Sequence, residues 1–231
     1  MGRAARTALG GLVHHVLNRA NARQTIFERD RDFAAFDKIL EETKERVGTR
    51  ILGYCLMPNH WHLVLWPSQD GELSTFMRIL TLTHTQRWHA HRRSAGTGHL
   101  YQGRFKSFVV QTDAYYLTVC RYVERNALRA NLVERAEDWH WGSLWRRQYG
   151  TEVQRSLLSE GPVSRPREWV RRVNEPEIPG ELEAIRNCVV RGAPYGSASW
   201  IEKTAKRFGL ESTLRPRGRP PGSTKKAIIG S

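Results

Sequence analysis

His60 and His62 stand two residues apart in the segment MPNHWHLVLW, and Tyr122 and Asn126 stand four apart in CRYVERNALRA. Residues i and i+2 of a strand share a face. The two imidazoles therefore lie side by side, with Trp61 turned to the other face, and neutral imidazoles so placed can share one metal ion. The plainer reading is a pair of polar rings on the wetted side of a half-buried strand. On a helix, residues i and i+4 overlie one another, so the Tyr122 phenol, a nucleophile, and the Asn126 amide face the same way. Here the plainer reading is a core aromatic followed by a helix-end amide. Tyr115 and Tyr116 are rival nucleophiles on the same segment.

Charge indicates what such groups act on. The 231 residues carry 37 Lys and Arg against 23 Asp and Glu, a net +14, with a pI near 10.3. An excess of this size implies a polyanionic partner, since each phosphate neutralised releases condensed counterions. Single-stranded nucleic acid calls for a basic groove with aromatic platforms, where stacking contributes about 1–3 kcal/mol per base. Arg19, Arg23, Tyr101, Arg104, Phe105 and Lys106 are the candidates, with solvated surface as the alternative for each. Near the end, RPRGRPPG sets Arg215, Arg217 and Arg219 among Pro and Gly. That segment resembles an AT-hook, whose arginines enter the narrow minor groove of A·T-rich duplex, and it reads equally well as a nonspecific basic tail.

Three scattered cysteines, Cys55, Cys120 and Cys188, with no CxxC pair, argue against a disulfide framework and a thiolate zinc site. No apolar run approaches the about 20 residues of a membrane helix, and the first eleven residues lack a secretory apolar stretch. A cytoplasmic, nucleoid-associated protein is the expectation.

The elements that must position these residues follow from periodicity. LVHHVLN (12–18) reads as a strand with an Arg-rich exit loop. Phe33, Phe36, Ile39, Leu40 and Thr43 recur at helical spacing up to Gly48. Residues 49–56 and 60–66 form a hairpin about Met57-Pro58-Asn59, 72–91 a long helix, 104–111 a further strand, and 112–130 a helix capped by Thr112 or Asp113. The order β-α-β-β-α-β-α predicts an α+β, ferredoxin-like (RRM-like) antiparallel sheet with helices on one face. The expected organisation is a catalytic domain over 1–147, a linker over 148–180, a small helical extension over 181–211 and a basic disordered tail over 212–231.

The blocks LNRANARQTIF, MPNHWHLVLWP, GHLYQGRFKS, RYVERNALRANLV and DWHWGS, in this order, closely resemble the single-tyrosine transposases of the HUH superfamily. Within these, the chain is most similar to the REP-associated tyrosine transposases, over about residues 10–147. The resemblance implies that His60 and His62 are the two histidines of the HUH motif, Tyr122 the nucleophile and Asn126 the residue that completes the metal site. Ala127 stands where the family usually has proline, which permits a longer helix. The implied substrate is a folded-back palindrome of single-stranded DNA, and the implied assembly is a monomer in the REP-associated branch or a homodimer as in the insertion-sequence relatives.

The chemistry is consistent with that resemblance. A tyrosine oxygen that attacks phosphorus keeps the phosphoester energy in a covalent phosphotyrosine, so the strand can be rejoined elsewhere. Two imidazoles and an amide leave positions open on a Lewis acid; Mg²⁺ or Mn²⁺ fits, with the imidazoles favouring Mn²⁺. A phenol with a pKa of about 10 is mostly protonated at neutral pH and needs help to ionise. The reading from a different class is a non-catalytic regulator that keeps the fold and stacks unpaired RNA or DNA on its sheet.

Overall fold

The computed structural model describes residues 9–215. Four strands, β1 (Val13–Arg19), β2 (Arg50–Met57), β3 (His60–Trp66) and β4 (Lys106–Val110), make one antiparallel sheet in the order β2-β3-β1-β4. This is the ferredoxin-like strand order expected from the order of elements, although helices cover both faces of the sheet and not one. β3 is an interior strand: His62 lies opposite Leu17 of β1 and Cys55 of β2. The histidine pair therefore sits mid-sheet, where neighbouring strands and covering helices exclude water.

Two helices connect the strands. α1 (Asp30–Val47) buries Phe33, Phe36, Ile39, Leu40 and Thr43, and Gly48 closes it in the left-handed conformation at φ 83°. α2 (Glu72–Arg92) buries Leu73, Phe76, Met77, Leu80 and His84. Alternation along the strands sends Val16, Trp61, Leu63 and Leu65 into one apolar core with these two helices. The other alternate set, Val13, Val64, Phe108 and Val110, enters a second core on the opposite face. The helix that follows β4 covers that second face. Expected as one run to about Ala130, it consists of α3 (Ala114–Glu124), capped by the Asp113 side chain on Tyr115 N, and a four-residue α4 (Asn126–Arg129), with Arg125 between them.

The expected linker packs into both cores, Trp169 and Val173 into the second and Leu157 into the first. α5 (Ser143–Tyr149), α6 (Glu152–Arg155) and α7 (Trp169–Asn174) span it, and Leu157, Trp169 and Val173 are buried. Its prolines and charges read as a loop, but Glu124 of α3 draws the segment in. Its carboxylate is fully buried and accepts hydrogen bonds from Trp169 Nε1 (2.6 Å), Ser143 Oγ (2.9 Å) and Arg165 Nη2 (3.3 Å).

Beyond it come α8 (Pro179–Arg191), α9 (Ala198–Phe208) and the short α10 (Glu211–Leu214). The turn between α8 and α9 docks on the sheet edge, where Tyr195 exchanges backbone hydrogen bonds with Val109 and Gln111 of the β4 edge, both 2.9 Å. Among the described residues no helix is long and apolar enough to cross a membrane.

Candidate nucleic-acid and metal site

A pocket of about 670 Å³ opens between the β1–β3–β4 surface and the helices α3, α4 and α8. His60, His62, Tyr122 and Asn126, four groups from β3, α3 and α4, all line it. The rings of His60 and His62 are 5.1 Å apart, and that of Tyr122 meets His62 edge-on at 5.7 Å. Tyr116 is fully buried elsewhere and Tyr115 packs on Tyr195, so of the three tyrosines on α3 it is Tyr122 that reaches the pocket.

Both histidines are held neutral. Burial pushes His60 down to about 4, helped by the positive charges of Arg19 and Arg129. Burial likewise sends His62 well below the usual imidazole value, with His15, His60 and the two arginines adding to it. Their Nδ1 atoms are engaged. His60 Nδ1 lies 2.6 Å from Asn59 Oδ1, an oxygen that can only accept, so the ring donates there and keeps its lone pair on Nε2. His62 Nδ1 lies 2.8 Å from His15 Nε2 within the core, and with the shared proton on His62 the same result follows. Asn126 Oδ1 accepts from Arg129 Nη2 at 2.9 Å and retains a second lone pair, while its Nδ2 is buried without a partner. Two neutral imidazoles and one amide oxygen are a donor set that fits a divalent ion with open positions.

The surrounding charge is one-sided. Arg19, Arg104, Lys106, Arg129 and Arg186 line the pocket, and among the described residues no Asp or Glu does. Arg129 is paired with Glu177 (2.7 Å); the other four have no ion-pair partner among the described residues. Arg19 Nε, like Asn126 Nδ2, is a buried donor without an acceptor. Both belong to residues that line the pocket, where a phosphate oxygen could accept from them. Burial pushes the Tyr122 phenol above its usual value, while Arg129, Arg186 and Arg19 pull it back.

The nucleic-acid candidates divide. Arg19, Arg104 and Lys106 line the pocket. Phe105 and Tyr101 line an adjoining groove beside α2. Tyr101 is no stacking platform: it is buried, and its hydroxyl accepts from Trp61 Nε1 (3.0 Å) and shares a hydrogen bond with His84 Nδ1 (2.5 Å). Arg23 is exposed in a turn and lines neither cavity. Arg215 is exposed after α10, and Arg217 and Arg219 lie outside the described residues, as does most of the AT-hook-like segment. Several pocket residues escaped the sequence reading, among them Arg129, Gln102, Arg186 and Val189. Arg129 lies three residues after Asn126 and could have been placed by helical spacing. Gln102, beside Tyr101, carried no such signal, and nor did Arg186 and Val189, brought in by α8 from 60 residues away.

Sheet order, the two covering layers and this cation-lined pocket define a ferredoxin-like protein with a site for a polyanion. The chain belongs to the IS200-like transposase family, whose family model matches residues 9–126, just over half its length. It is thus a transposase-like DNA-processing protein. Among solved structures, a REP-associated tyrosine transposase bound to a REP hairpin aligns at 17% identity, with a TM-score of 0.52, over 69% of this chain and 89% of its own. That likeness shows the fold. A chain from Deinococcus radiodurans R1 aligns more distantly, at 16% identity with a TM-score of 0.38, over 53% of this chain and 96% of its own. No curated protein matches by sequence.

Proposed function

We propose that the protein cuts and rejoins single-stranded DNA at hairpins through a covalent 5′-phosphotyrosine on Tyr122, with a divalent metal, Mn²⁺ or Mg²⁺, held by His60, His62 and Asn126. The observation that carries this reading is that all four groups line one pocket with five cationic side chains and no carboxylate. The hairpin substrate is inferred by likeness to the solved transposase that is bound to one.

Arg19, Arg104, Lys106 and Arg186 would hold the backbone phosphates, and the unpaired Arg19 Nε would donate to one of their oxygens. The Tyr122 oxygen attacks phosphorus as its proton leaves to water, a loss that Arg129, Arg186 and Arg19 favour by stabilising the phenolate. The P–O3′ bond breaks, the 3′ oxygen takes up a proton, and the 5′ phosphate stays on Tyr122 for transfer to another 3′ hydroxyl. A bound divalent ion would polarise the scissile phosphate and stabilise charge on its non-bridging oxygens. The basic tail would add a duplex contact, and the activity belongs in the cytoplasm beside the nucleoid.

The regulator that stacks unpaired bases on its sheet loses support from the packing. Both faces of this sheet are covered, by α1 and α2 on one side and by α3 and its followers on the other. The test is strand cleavage: labelled hairpins carrying single-stranded flanks, incubated with protein and Mn²⁺, should yield discrete cut products, whereas the fully paired duplex of the same sequence should not. Intact hairpins after incubation with either metal would reject the enzyme.

A further inference from the structure

Beside the Tyr122 pocket a second, larger groove, of about 1230 Å³, runs between α2 and the connection from α2 to β4. Apart from Arg104, none of the groups given a role in cleavage lies in it. Four residues, Asn18, Gln102, Gly103 and Arg104, line both cavities, so the groove opens into the pocket. Gly103 holds φ at 152°, a conformation that side-chain-bearing residues rarely adopt, and this leaves bare backbone at the junction.

The wall on α2 is continuous. Ser74, Arg78, Thr81, Leu82, Thr85 and His89 face the groove at helical spacing. The stripe from Ser74 to His89 covers sixteen residues, about 22 Å of helix at 1.5 Å per step. Leu82 is half exposed there and adds an apolar surface to the polar wall. As in the pocket, the lining contains no Asp or Glu. Amide side chains, among them Asn18, Asn21, Gln86 and Gln102, are available to the edges of bases. Arg78 and Arg104 supply charge for phosphates, and neither has an ion-pair partner among the described residues.

We infer that this groove is the track of an unpaired DNA strand leading to Tyr122, with Arg104 holding the phosphate at the junction, Arg78 a phosphate farther along α2, and Leu82 an apolar rest for a base. The inference rests on the single-strand reading of the site and extends it by a binding surface. The charge complementarity and the shared junction point to a segment of the same strand that is cut. A separate ligand would not need the junction.

Binding isolates it from chemistry. Two probes are a DNA hairpin without flanks and the same hairpin with a ten-nucleotide unpaired flank containing 4-thiothymidine, each titrated by fluorescence anisotropy against the full chain. The flank should tighten binding by about tenfold or more, and Arg78→Glu or Leu82→Asp should remove most of that gain while leaving the flank-free hairpin within about twofold. Both substituted residues are exposed, so the core is untouched. Photocrosslinks from the flank should map to α2 and residues 94–105. No gain from the flank, equal losses on both probes, crosslinks confined to other surfaces, or tighter binding of an RNA flank than of DNA would each overturn the inference. Failure of Tyr122 to form an adduct, with the flank effect intact, would instead remove the proposed catalysis and leave the groove standing.

Discussion

The guanidinium of Arg129 lies 4.3 Å from the centre of the Tyr122 ring, and the same group donates to the Tyr122 carbonyl and to Asn126 Oδ1. One cation thus fixes the proposed nucleophile and the proposed third metal ligand together, and Glu177 anchors it from the segment leading into α8. Loss of a group that positions metal ligands commonly costs 10- to 100-fold. Arg129→Gln should slow single-turnover hairpin cleavage by about that factor, with hairpin affinity reduced far less. Arg129→Lys should not rescue the rate, because an ammonium cannot reach both partners as the planar fork does. A wild-type rate in either variant would show that Arg129 only packs.

Four cations without an ion-pair partner among the described residues, beside an Arg129 paired with Glu177, repel a free metal ion, and phosphates supply the missing negative charge. Titration of Mn²⁺ by electron paramagnetic resonance should therefore show weak binding to the protein alone. Binding should be at least several-fold tighter when a single-stranded hairpin is present on the Tyr122→Phe variant. His60→Ala or His62→Ala should abolish that gain and cleavage while keeping hairpin affinity within about tenfold, because affinity comes chiefly from Lys and Arg on phosphates. Full cleavage in excess chelator would contradict the metal assignment.

Most of this site could be read in the sequence because its residues repeat at backbone periods. A strand period of two pairs His60 with His62, and a helical period of nearly four pairs Tyr122 with Asn126. The α/β order of the first 130 residues followed from the same periods. What escaped depends on contacts between distant segments. His15, in the LVHHVLN strand, meets His62 through the β1–β3 register, and Arg186 arrives on a helix whose docking is set by Tyr195 at the edge of β4. The segment 148–180 looked like a linker because its anchor, buried Glu124, belongs to another element and resembles an ordinary surface carboxylate in the sequence.

That anchor makes a stability prediction. Glu124→Ala leaves Trp169 Nε1 and Ser143 Oγ without their acceptor and Arg165 without its counter-charge, and removal of one partner from a buried ion pair costs about 3–5 kcal/mol. Urea unfolding should show a loss of that order, with Glu124→Gln, which keeps an acceptor oxygen, losing less. A change below about 1 kcal/mol would mean that the segment docks without it.

Buried neutral histidines make the fold acid-sensitive. Burial lowers His84 to about 3 and His14 to about 4. The unfolded chain binds a proton at each histidine below about pH 6.5, whereas the folded chain does not until about 3 to 4. Stability is therefore complete above pH 6.5 and falls as pH drops through the window down to those folded values, by about 1.4 kcal/mol per pH unit for each such histidine. Urea midpoints at pH 7.5, 6 and 5 should decline in that order. His84→Gln should flatten the slope by about one proton. An unchanged slope would place the acid sensitivity elsewhere.

The central claim is that Tyr122 attacks the strand. Wild-type protein mixed with a single-stranded hairpin and Mn²⁺ should give an adduct that survives denaturation, with the DNA joined through its 5′ phosphate. Tryptic mass spectrometry should place it on the peptide that contains Tyr122. Tyr122→Phe keeps the ring against His62 and Arg129 and removes only the attacking oxygen, so that variant should bind the hairpin and form no adduct, while Tyr115→Phe and Tyr116→Phe still form it. An adduct mapped to Tyr115 or Tyr116, or one that persists in Tyr122→Phe, would contradict the account.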